Sequence, residues 1–263
     1  MPLTRNRIRE LRSLSQKKVR DEQGLFVAEG LRLVRDAAES SFEIPESFFT
    51  LEFEDSPDGG ELLALLRTRG ARCQKVSRGE LAQFADTVNA QGVLALIRRK
   101  NEPAGDLARR IPPPALLVAL DGIADPGNLG SIIRTCDWFG AGGVLIGRRS
   151  VDLYNPKVVR ATMGGIFHVP VVTEADLPGA AREAKLAGYT VYAADPSADL
   201  LEGDVRFSER SLIALGNEAH GISGELLGAA DARVAIPRFG RAESLNVGIA
   251  AAILLAAFRR NHA

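Results

Sequence analysis

The sequence predicts an α/β protein with two domains joined by a linker. Its 263 residues exceed the length at which one hydrophobic core usually stops growing. Short apolar runs alternate with amphipathic segments through residues 1–100 and again through residues 115–263, which is typical of α/β folds. Residues 101–114 carry four prolines and show no apolar period, so they are predicted to be the linker.

A basic segment opens the first domain. Residues 1–20 carry seven bases and one acid, Glu10, although the whole chain balances 33 bases against 33 acids. Apolar residues recur at helical spacing on one side, which predicts a basic helix over residues 4–20. Such charges can attract phosphate groups of a polyanion such as a nucleic acid, and a solvated helix face explains them equally well. The candidate residues for such binding are Arg5, Arg7, Arg9, Arg12, Lys17 and Lys18.

Both domains then alternate strands with helices. In the first domain, strands are predicted at 25–30, 47–53, 71–76 and 92–97, and helices at 31–40, 61–70 and 79–85. In the second, strands are predicted at 115–120, 143–147, 168–172, 190–195, 211–216 and 232–237, and helices at 129–139, 156–163, 175–187, 223–227 and 244–260. The last helix is apolar almost all round, so it is expected to be covered on more than one side, for example by a second subunit.

Composition excludes several classes of protein. With 46% hydrophobic and 25% charged residues, the chain is expected to be globular and soluble rather than disordered or fibrous. Its longest nearly apolar run, residues 249–258, has about half of the roughly 20 residues that a membrane span needs, so no membrane partner is expected. The arginine-rich start predicts no secretory signal. Two cysteines and three histidines without metal-ligand spacing predict no metal site and a reducing compartment.

Three loops of the second domain are candidates for chemistry. A parallel α/β domain suggests a nucleoside cofactor at the C-terminal ends of its strands, but there is no GxGxxG after a strand and no GxxxxGK[ST]. No nucleophile motif for Ser/His/Asp catalysis is present either. What remains are loops within residues 121–141, 212–223 and 235–258.

Taken singly, these loops have structural explanations. Asn128 is predicted to be the N-cap of the helix that follows it. Arg134 faces away from the apolar stripe of that helix, where a surface ion pair with Asp137 would satisfy it. Glu218 lies among glycines, and glycine-rich loops often form turns and have no other role.

Together and in this order, the loops resemble the SpoU family of RNA ribose 2′-O-methyltransferases in the SPOUT superfamily, over residues 115–260. Residues 5–37 resemble the substrate-binding domain often fused to that family, an α/β fold similar to ribosomal and kink-turn RNA-binding proteins. The resemblance implies an N-terminal RNA-binding domain over 1–100. It also implies a C-terminal methyltransferase domain over 115–263 that is tied in a trefoil knot, binds S-adenosylmethionine (SAM) and forms a homodimer with the active site built across it.

The resemblance also implies roles for individual residues. The positions that match catalytic or site-organising residues are Asn128, Arg134, Glu218, Ser244 and Asn246. The backbone around Gly216, Ile236 and Leu245 is expected to hold the adenine and ribose of SAM, with Asn246 beside it. Relatives often have glycine and a basic residue where this chain has Ala219 and His220, which puts only a local RNA contact in doubt.

The predicted function is methyl transfer from SAM to a ribose 2′-hydroxyl of structured RNA. Ribosomal RNA is favoured by the fused N-terminal domain, the cytoplasm is the expected location, and no metal is required. Arginine is the base proposed for this family, but because it is effectively always protonated, Arg134 is expected to bind the developing alkoxide or a neighbouring phosphate. The alternatives are a tRNA ribose methyltransferase, a base-methylating relative, a catalytically silent RNA-binding or ribosome-assembly factor and, least favoured, a generic Rossmann enzyme.

Overall fold

Our computed structural model describes residues 2–87, 91–100, 102, 104–217 and 219–262, with the backbone alone for residues 104–106. The strands are β1 (Leu25–Glu29), β2 (Glu46–Phe49), β3 (Arg72–Lys75), β4 (Val93–Arg98), β5 (Ala115–Asp121), β6 (Gly143–Gly147), β7 (Val171–Ala175), β8 (Thr190–Ala194), β9 (Arg210–Gly216) and β10 (Ala232–Val234). The helices are α1 (Arg5–Ser13), α2 (Lys17–Gln23), α3 (Leu31–Glu39), α4 (Leu51–Glu54), α5 (Pro57–Thr68), α6 (Arg78–Leu81), α7 (Ala104–Arg110), α8 (Pro126–Trp138), α9 (Pro156–Ala161), α10 (Gly165–His168), α11 (Leu177–Leu186), α12 (Gly224–Ala229) and α13 (Val247–Asn261).

The chain forms two compact units. The first contains residues 1–100 together with 152–167, and the second contains residues 101–151 and 168–263. The predicted domains differ from these units in one segment, because residues 152–167 fall in the second domain by sequence and pack with the first unit. Residues 101–114, predicted as linker, contain helix α7 within the second unit.

The first unit is built on a mixed sheet in the order β1-β4-β2-β3. Strand β4 pairs antiparallel with β1 and β2, and β2 pairs parallel with β3. A core cluster joins α1 to this sheet, and its fully buried members include Leu14, Phe48 and Leu94. The cluster members from the helical segment recur at helical spacing, and those from the strands face one side of the sheet. Such periodic patterns can be detected in the sequence.

The prediction of one helix over residues 4–20 is wrong, because α1 ends at Ser13 and α2 begins at Lys17. The cause is Arg20, whose side chain is 2% exposed. Its Nη1 donates to the carbonyl oxygens of Leu14 at 2.8 Å and Ser15 at 2.7 Å, and its guanidinium ion-pairs with Asp152. The break in the helix therefore supplies acceptors to a buried arginine.

Two further predictions for the first unit are only partly correct. The strand expected over 47–53 ends at Phe49, because Thr50 caps the short helix α4 by accepting a hydrogen bond from the Phe53 amide at 3.3 Å. The helix expected over 79–85 ends at Leu81, after one turn closed by a capping box between Ser77 and Glu80. Short capping motifs override the apolar pattern at both places.

Aromatic packing anchors segment 152–167 in the first unit. The ring of Phe26 lies 4.6 Å from that of Tyr154 and 6.2 Å from that of Phe167, measured between centroids. The Tyr154 hydroxyl donates to the Lys100 carbonyl oxygen at 2.8 Å. Burial raises the pKa of the Tyr154 phenol, so this hydroxyl stays a proton donor at neutral pH.

The second unit contains a parallel six-stranded sheet in the order β10-β8-β9-β5-β6-β7. Fully buried apolar strands are typical of parallel sheets covered on both faces, and β5 and β6 are buried throughout. This confirms the predicted parallel α/β fold of the C-terminal domain. Among the described residues, no helix is both long and apolar enough to span a bilayer.

Candidate active site

The central strands of the second unit bring two of the predicted loops together. Strands β5 and β9 are parallel neighbours, with Asp121 opposite Gly216 at their C-terminal ends. Parallel strands end at the same edge of a sheet, so the loops that follow lie side by side there. At this edge the second unit has a cavity of about 580 Å³. Its lining includes Asp195, Gly216, Asn217, Ile236, Ser244 and Leu245.

The loop between β10 and α13 contributes unpaired backbone to this cavity. In residues 236–245, the Ala242 carbonyl accepts a 3.4 Å hydrogen bond from Arg238, and no other backbone group of the loop has a hydrogen-bond partner within the described part of the chain. Gly216 faces the loop at 217–222, since a Cβ there would lie 2.3 Å from the Gly221 carbonyl carbon. Free amides and carbonyls beside apolar walls suit a small ligand with a polar heterocycle.

Asp195, which the sequence analysis missed, gives the cavity a negative group. Its Oδ1 accepts hydrogen bonds from the Ser197 amide at 2.9 Å and the Ser197 hydroxyl at 2.7 Å. These bonds, with Arg233 at 3.5 Å, hold the pKa of Asp195 below its usual value, so the carboxylate is ionised at neutral pH. Its position as the last residue of the strand predicted over 190–195 was the signal that could have identified it.

Asn128 and Asn246 meet across the site, 118 residues apart in sequence. The Nδ2 of Asn246 donates to the Oδ1 of Asn128 at 2.9 Å, and the Oδ1 of Asn246 caps α13 by accepting from the Gly248 amide at 2.9 Å. The prediction of Asn128 as an N-cap is wrong, because Asp125 caps α8 by accepting from the Asn128 amide at 2.8 Å. With Pro126 in the first turn, the helix begins three residues earlier than expected, which leaves the Asn128 side chain available to the site.

Arg134 is exposed on α8, on the same face as Ser131 and Trp138. The surface ion pair with Asp137, which was the structural explanation for Arg134, does not form. Asp137 instead contacts the Nδ1 of His168 at 3.0 Å. Within the described residues, the Arg134 guanidinium has no hydrogen bond or ion pair. The surface ion pair that would have explained Arg134 structurally is therefore missing.

The remaining predicted site residues lie around the cavity. Of the residues predicted to hold the cofactor, Gly216, Ile236 and Leu245 line it, whereas Asn246 does not. Ser244, predicted to be catalytic, lines it as well. Glu218 lies outside the described residues. Its loop is held by Asn217, a second residue that sequence analysis missed, which donates to the Gly122 carbonyl oxygen at 2.9 Å.

The Asn217 side chain also fixes the two positions where relatives differ. Its Oδ1 accepts from the amides of Ala219 at 2.8 Å and His220 at 3.1 Å. These bonds use the backbone amides of residues 219 and 220, so they do not depend on which side chains stand at those two positions. Asn beside a glycine in a tight turn was the available signal.

The six candidate RNA-binding residues separate into two groups in the first unit. Arg5, Arg9 and Arg12 line a groove of about 640 Å³, and none of their side chains has a hydrogen bond or ion pair within the described residues. Three other cations are already matched by acids: Arg7 contacts Glu10 at 2.7 Å, and Lys17 and Lys18 each lie 3.9 Å from an acid one turn away. Arg160 also lines the groove, where it ion-pairs with Asp86.

Side chains that commonly bind metals do not cluster in the portion of the chain that the structure describes. No group of three His, Cys, Asp or Glu side chains there is arranged to hold an ion. The polar groups at the cavity are instead loop backbone, the Asn217 amide, the Ser244 hydroxyl, the Arg238 guanidinium and the carboxylates of Asp195 and Glu243. This set of donors and acceptors suits an organic ligand.

Comparison with known proteins identifies the family. The SpoU rRNA Methylase family matches residues 115–256, and the MRM3-like substrate binding domain matches residues 5–95. The 23S rRNA (guanosine(2553)-2'-O)-methyltransferase RlmP of Bacillus subtilis is 31% identical over 95% of this chain and 94% of its own length. The 23S rRNA (uridine(2479)-2'-O)-methyltransferase of Streptomyces viridochromogenes is 31% identical over 92% of this chain and 85% of its own length.

A solved structure agrees with these relatives. The AdoMet-bound rRNA methyltransferase from Sinorhizobium meliloti matches with a TM-score of 0.89 and 32% identity, covering 99% of this chain and 97% of that one. The similarity thus extends over both units and over all three loops that carried the sequence resemblance. The chain belongs to the SpoU rRNA methylase family, with an MRM3-like substrate binding domain at its N-terminal end.

Proposed function

We propose that this protein transfers a methyl group from SAM to a ribose 2′-hydroxyl of ribosomal RNA. The observation that supports this most directly is the cavity of the second unit, where the predicted cofactor positions Gly216, Ile236 and Leu245 converge. The relatives named for 2′-O-methylation of 23S rRNA match nearly the whole chain, which favours ribosomal RNA over other acceptors.

The cavity fits SAM by the chemistry of its walls. The unpaired backbone of residues 236–245 can hydrogen-bond an adenine ring. The glycine at 216 lets the backbone of Gly221 and Ile222 pack directly against it, which shapes this wall of the cavity. The ionised Asp195 can accept hydrogen bonds from ribose hydroxyls or pair with the cofactor's amino group. When bound, SAM supplies a methyl group on a sulfonium, so no metal is needed for the transfer.

The acceptor side of the reaction is assigned to α8 and the start of α13. A ribose hydroxyl is a poor nucleophile, so it must be aligned and its developing negative charge stabilised. Arg134, without a partner of its own in the described structure, would hold that charge or the adjacent phosphate. The Asn128–Asn246 hydrogen bond ties the two helices together and so fixes the geometry of the site.

RNA capture is assigned to the first unit. Arg5, Arg9 and Arg12 repeat along one face of α1 and line the groove, and no residue that the structure describes neutralises them. A row of unpaired guanidinium groups attracts a phosphate backbone and gains from counterion release. A smaller contribution to RNA binding is expected from Arg7, Lys17 and Lys18, because each already has an acidic partner.

We also propose a homodimer of the C-terminal domain. The exposed faces of α8 and α13 carry Trp138 at 84% exposure and Ile249 at 52%, and these helices pack side by side through Arg259, which donates to the Phe139 carbonyl oxygen at 2.6 Å. Two large apolar side chains on such a surface favour burial by a second copy. Family membership further supports a trefoil knot in this domain and a cytoplasmic location.

The test is methyl transfer from radiolabelled SAM to an in vitro transcript of 23S rRNA, with a tRNA mixture as the control. We expect label on the ribosomal transcript, and a 2′-deoxy nucleotide at the mapped position should abolish it. Undiminished transfer to the deoxy substrate would identify a base methyltransferase. SAM binding without any transfer would indicate a silent RNA-binding factor.

A further inference from the structure

The outer part of the loop between β10 and α13 exposes an aromatic ring between two cations. Phe239 is 95% exposed, with Arg238 before it and Arg241 two residues after it. Arg238 and Ser244 line the cavity on either side of this segment, so residues 239–241 lie at the cavity mouth.

The charges beside Phe239 are available, unlike those beside another exposed apolar residue. Leu186 is 83% exposed on α11, but its neighbour Lys185 is neutralised by Asp231 at 2.8 Å. Arg241 has no hydrogen bond or ion pair within the described residues, and the Arg238 guanidinium reaches only the Ala242 carbonyl, at 3.4 Å. Leu186 is thus an isolated apolar surface residue of the ordinary kind, which requires no functional explanation. Phe239 instead forms a cluster with two available cations, Arg238 and Arg241.

We propose that Arg238, Phe239 and Arg241 clamp the acceptor strand of the RNA, with the ring of Phe239 stacked on a base and the two guanidinium groups on phosphates. The inference rests on the proposed function, since the acceptor ribose must reach the cavity for methyl transfer. Unpaired RNA bases are recognised by stacking on aromatic rings, and arginine supplies phosphate contacts beside them. A second copy that met this segment ring to ring would place Arg238 and Arg241 against the same two cations, which favours RNA as the occupant.

The experiment compares Phe239→Ala, Phe239→Leu and Phe239→Tyr, with Leu186→Ala as the matched control. For each protein we would measure kcat and KM with the 23S rRNA transcript, the Kd for SAM, and the mass by sedimentation. Because base stacking is lost, alanine and leucine should raise KM for RNA about tenfold to a hundredfold, and tyrosine should restore it. SAM affinity, mass and the control should not change.

A second variant tests the charges independently. Arg241→Ala should lower the slope of log Kd for RNA against log salt by about 0.7, as expected for one lost phosphate contact on a single strand. An unchanged KM in Phe239→Ala, or leucine as effective as phenylalanine, would overturn the clamp. A loss of dimer mass in Phe239→Ala would reassign the ring to a subunit contact. If the parent protein transfers no methyl group at all, the proposed function fails instead.

Discussion

The groove of the first unit and the cavity of the second have similar volumes, about 640 and 580 Å³, and different wall chemistry. Arginines outnumber acids on the groove walls, with Arg5, Arg9, Arg12 and Arg160 against Glu29 and Asp86. The cavity presents loop backbone and apolar walls, with one arginine and the carboxylates of Asp195 and Glu243. Volume therefore does not distinguish the two ligands. The groove suits a polyanion held by salt-sensitive charge, and the cavity suits a small nucleoside held by shape and hydrogen bonds.

The largest effect should come from a cation of the first unit that is not available to RNA. Arg20→Met would leave Asp152, whose side chain is 11% exposed, without its partner and two carbonyls without a donor. We expect the free energy of unfolding to fall by about 3–5 kcal/mol, measured by urea denaturation. Lys18→Met, at an exposed pair, should change it by less than about 1 kcal/mol. A similar small loss for Arg20→Met would mean that segment 152–167 is not anchored by this pair.

In the second unit, Arg134→Ala should lower the single-turnover rate of methyl transfer by a factor on the order of 10² to 10³, as for loss of an oxyanion donor. SAM affinity and melting temperature should hold, because neither the cavity nor a described ion pair uses this side chain. Arg182→Ala, at another exposed helical arginine, is the control. A rate within about threefold of the parent would mean that Arg134 is a surface residue of the helix with no part in methyl transfer.

The cavity itself is tested by Gly216→Ala. The added Cβ would lie 2.3 Å from the Gly221 carbonyl carbon and 2.4 Å from the Ile222 nitrogen, so the loop that lines the cavity must move. We expect SAM affinity measured by calorimetry to fall by about tenfold to a hundredfold, with RNA binding retained. Gly228→Ala, where nothing lies within 4 Å of the new Cβ, should bind SAM normally. Loss of RNA binding together with SAM would contradict the division of labour between the two units.

The smallest effect is expected at the groove, where each cation acts alone. Arg9→Ala should lower the slope of log Kd for RNA against log salt by about 0.7 to 0.9 without changing SAM affinity. Lys18→Ala should change the slope less, because its charge is already matched by Glu22. Equal slopes for the parent and Arg9→Ala would mean that the groove arginines form a solvated helix face and do not contact RNA phosphates.

The sequence located the catalytic unit well, and for a local reason. Each apolar strand and its following loop are contiguous in the chain, so the order of the three loops predicted the SpoU family, and the comparisons confirmed it. The resemblance to that family implied that Gly216, Ile236 and Leu245 surround one ligand, and the structure brings all three to one cavity.

Partners distant in sequence were decided only by the tertiary structure. Arg20 meets Asp152 across 132 residues, and Asn246 meets Asn128 across 118. Helical periodicity reports which face is buried and does not report which acid or amide lies against it. From composition, the seven basic residues near the start looked alike. Folding buried one, neutralised others and left Arg5, Arg9 and Arg12 without a partner among the described residues, because the energy of a charge depends on its neighbours in space.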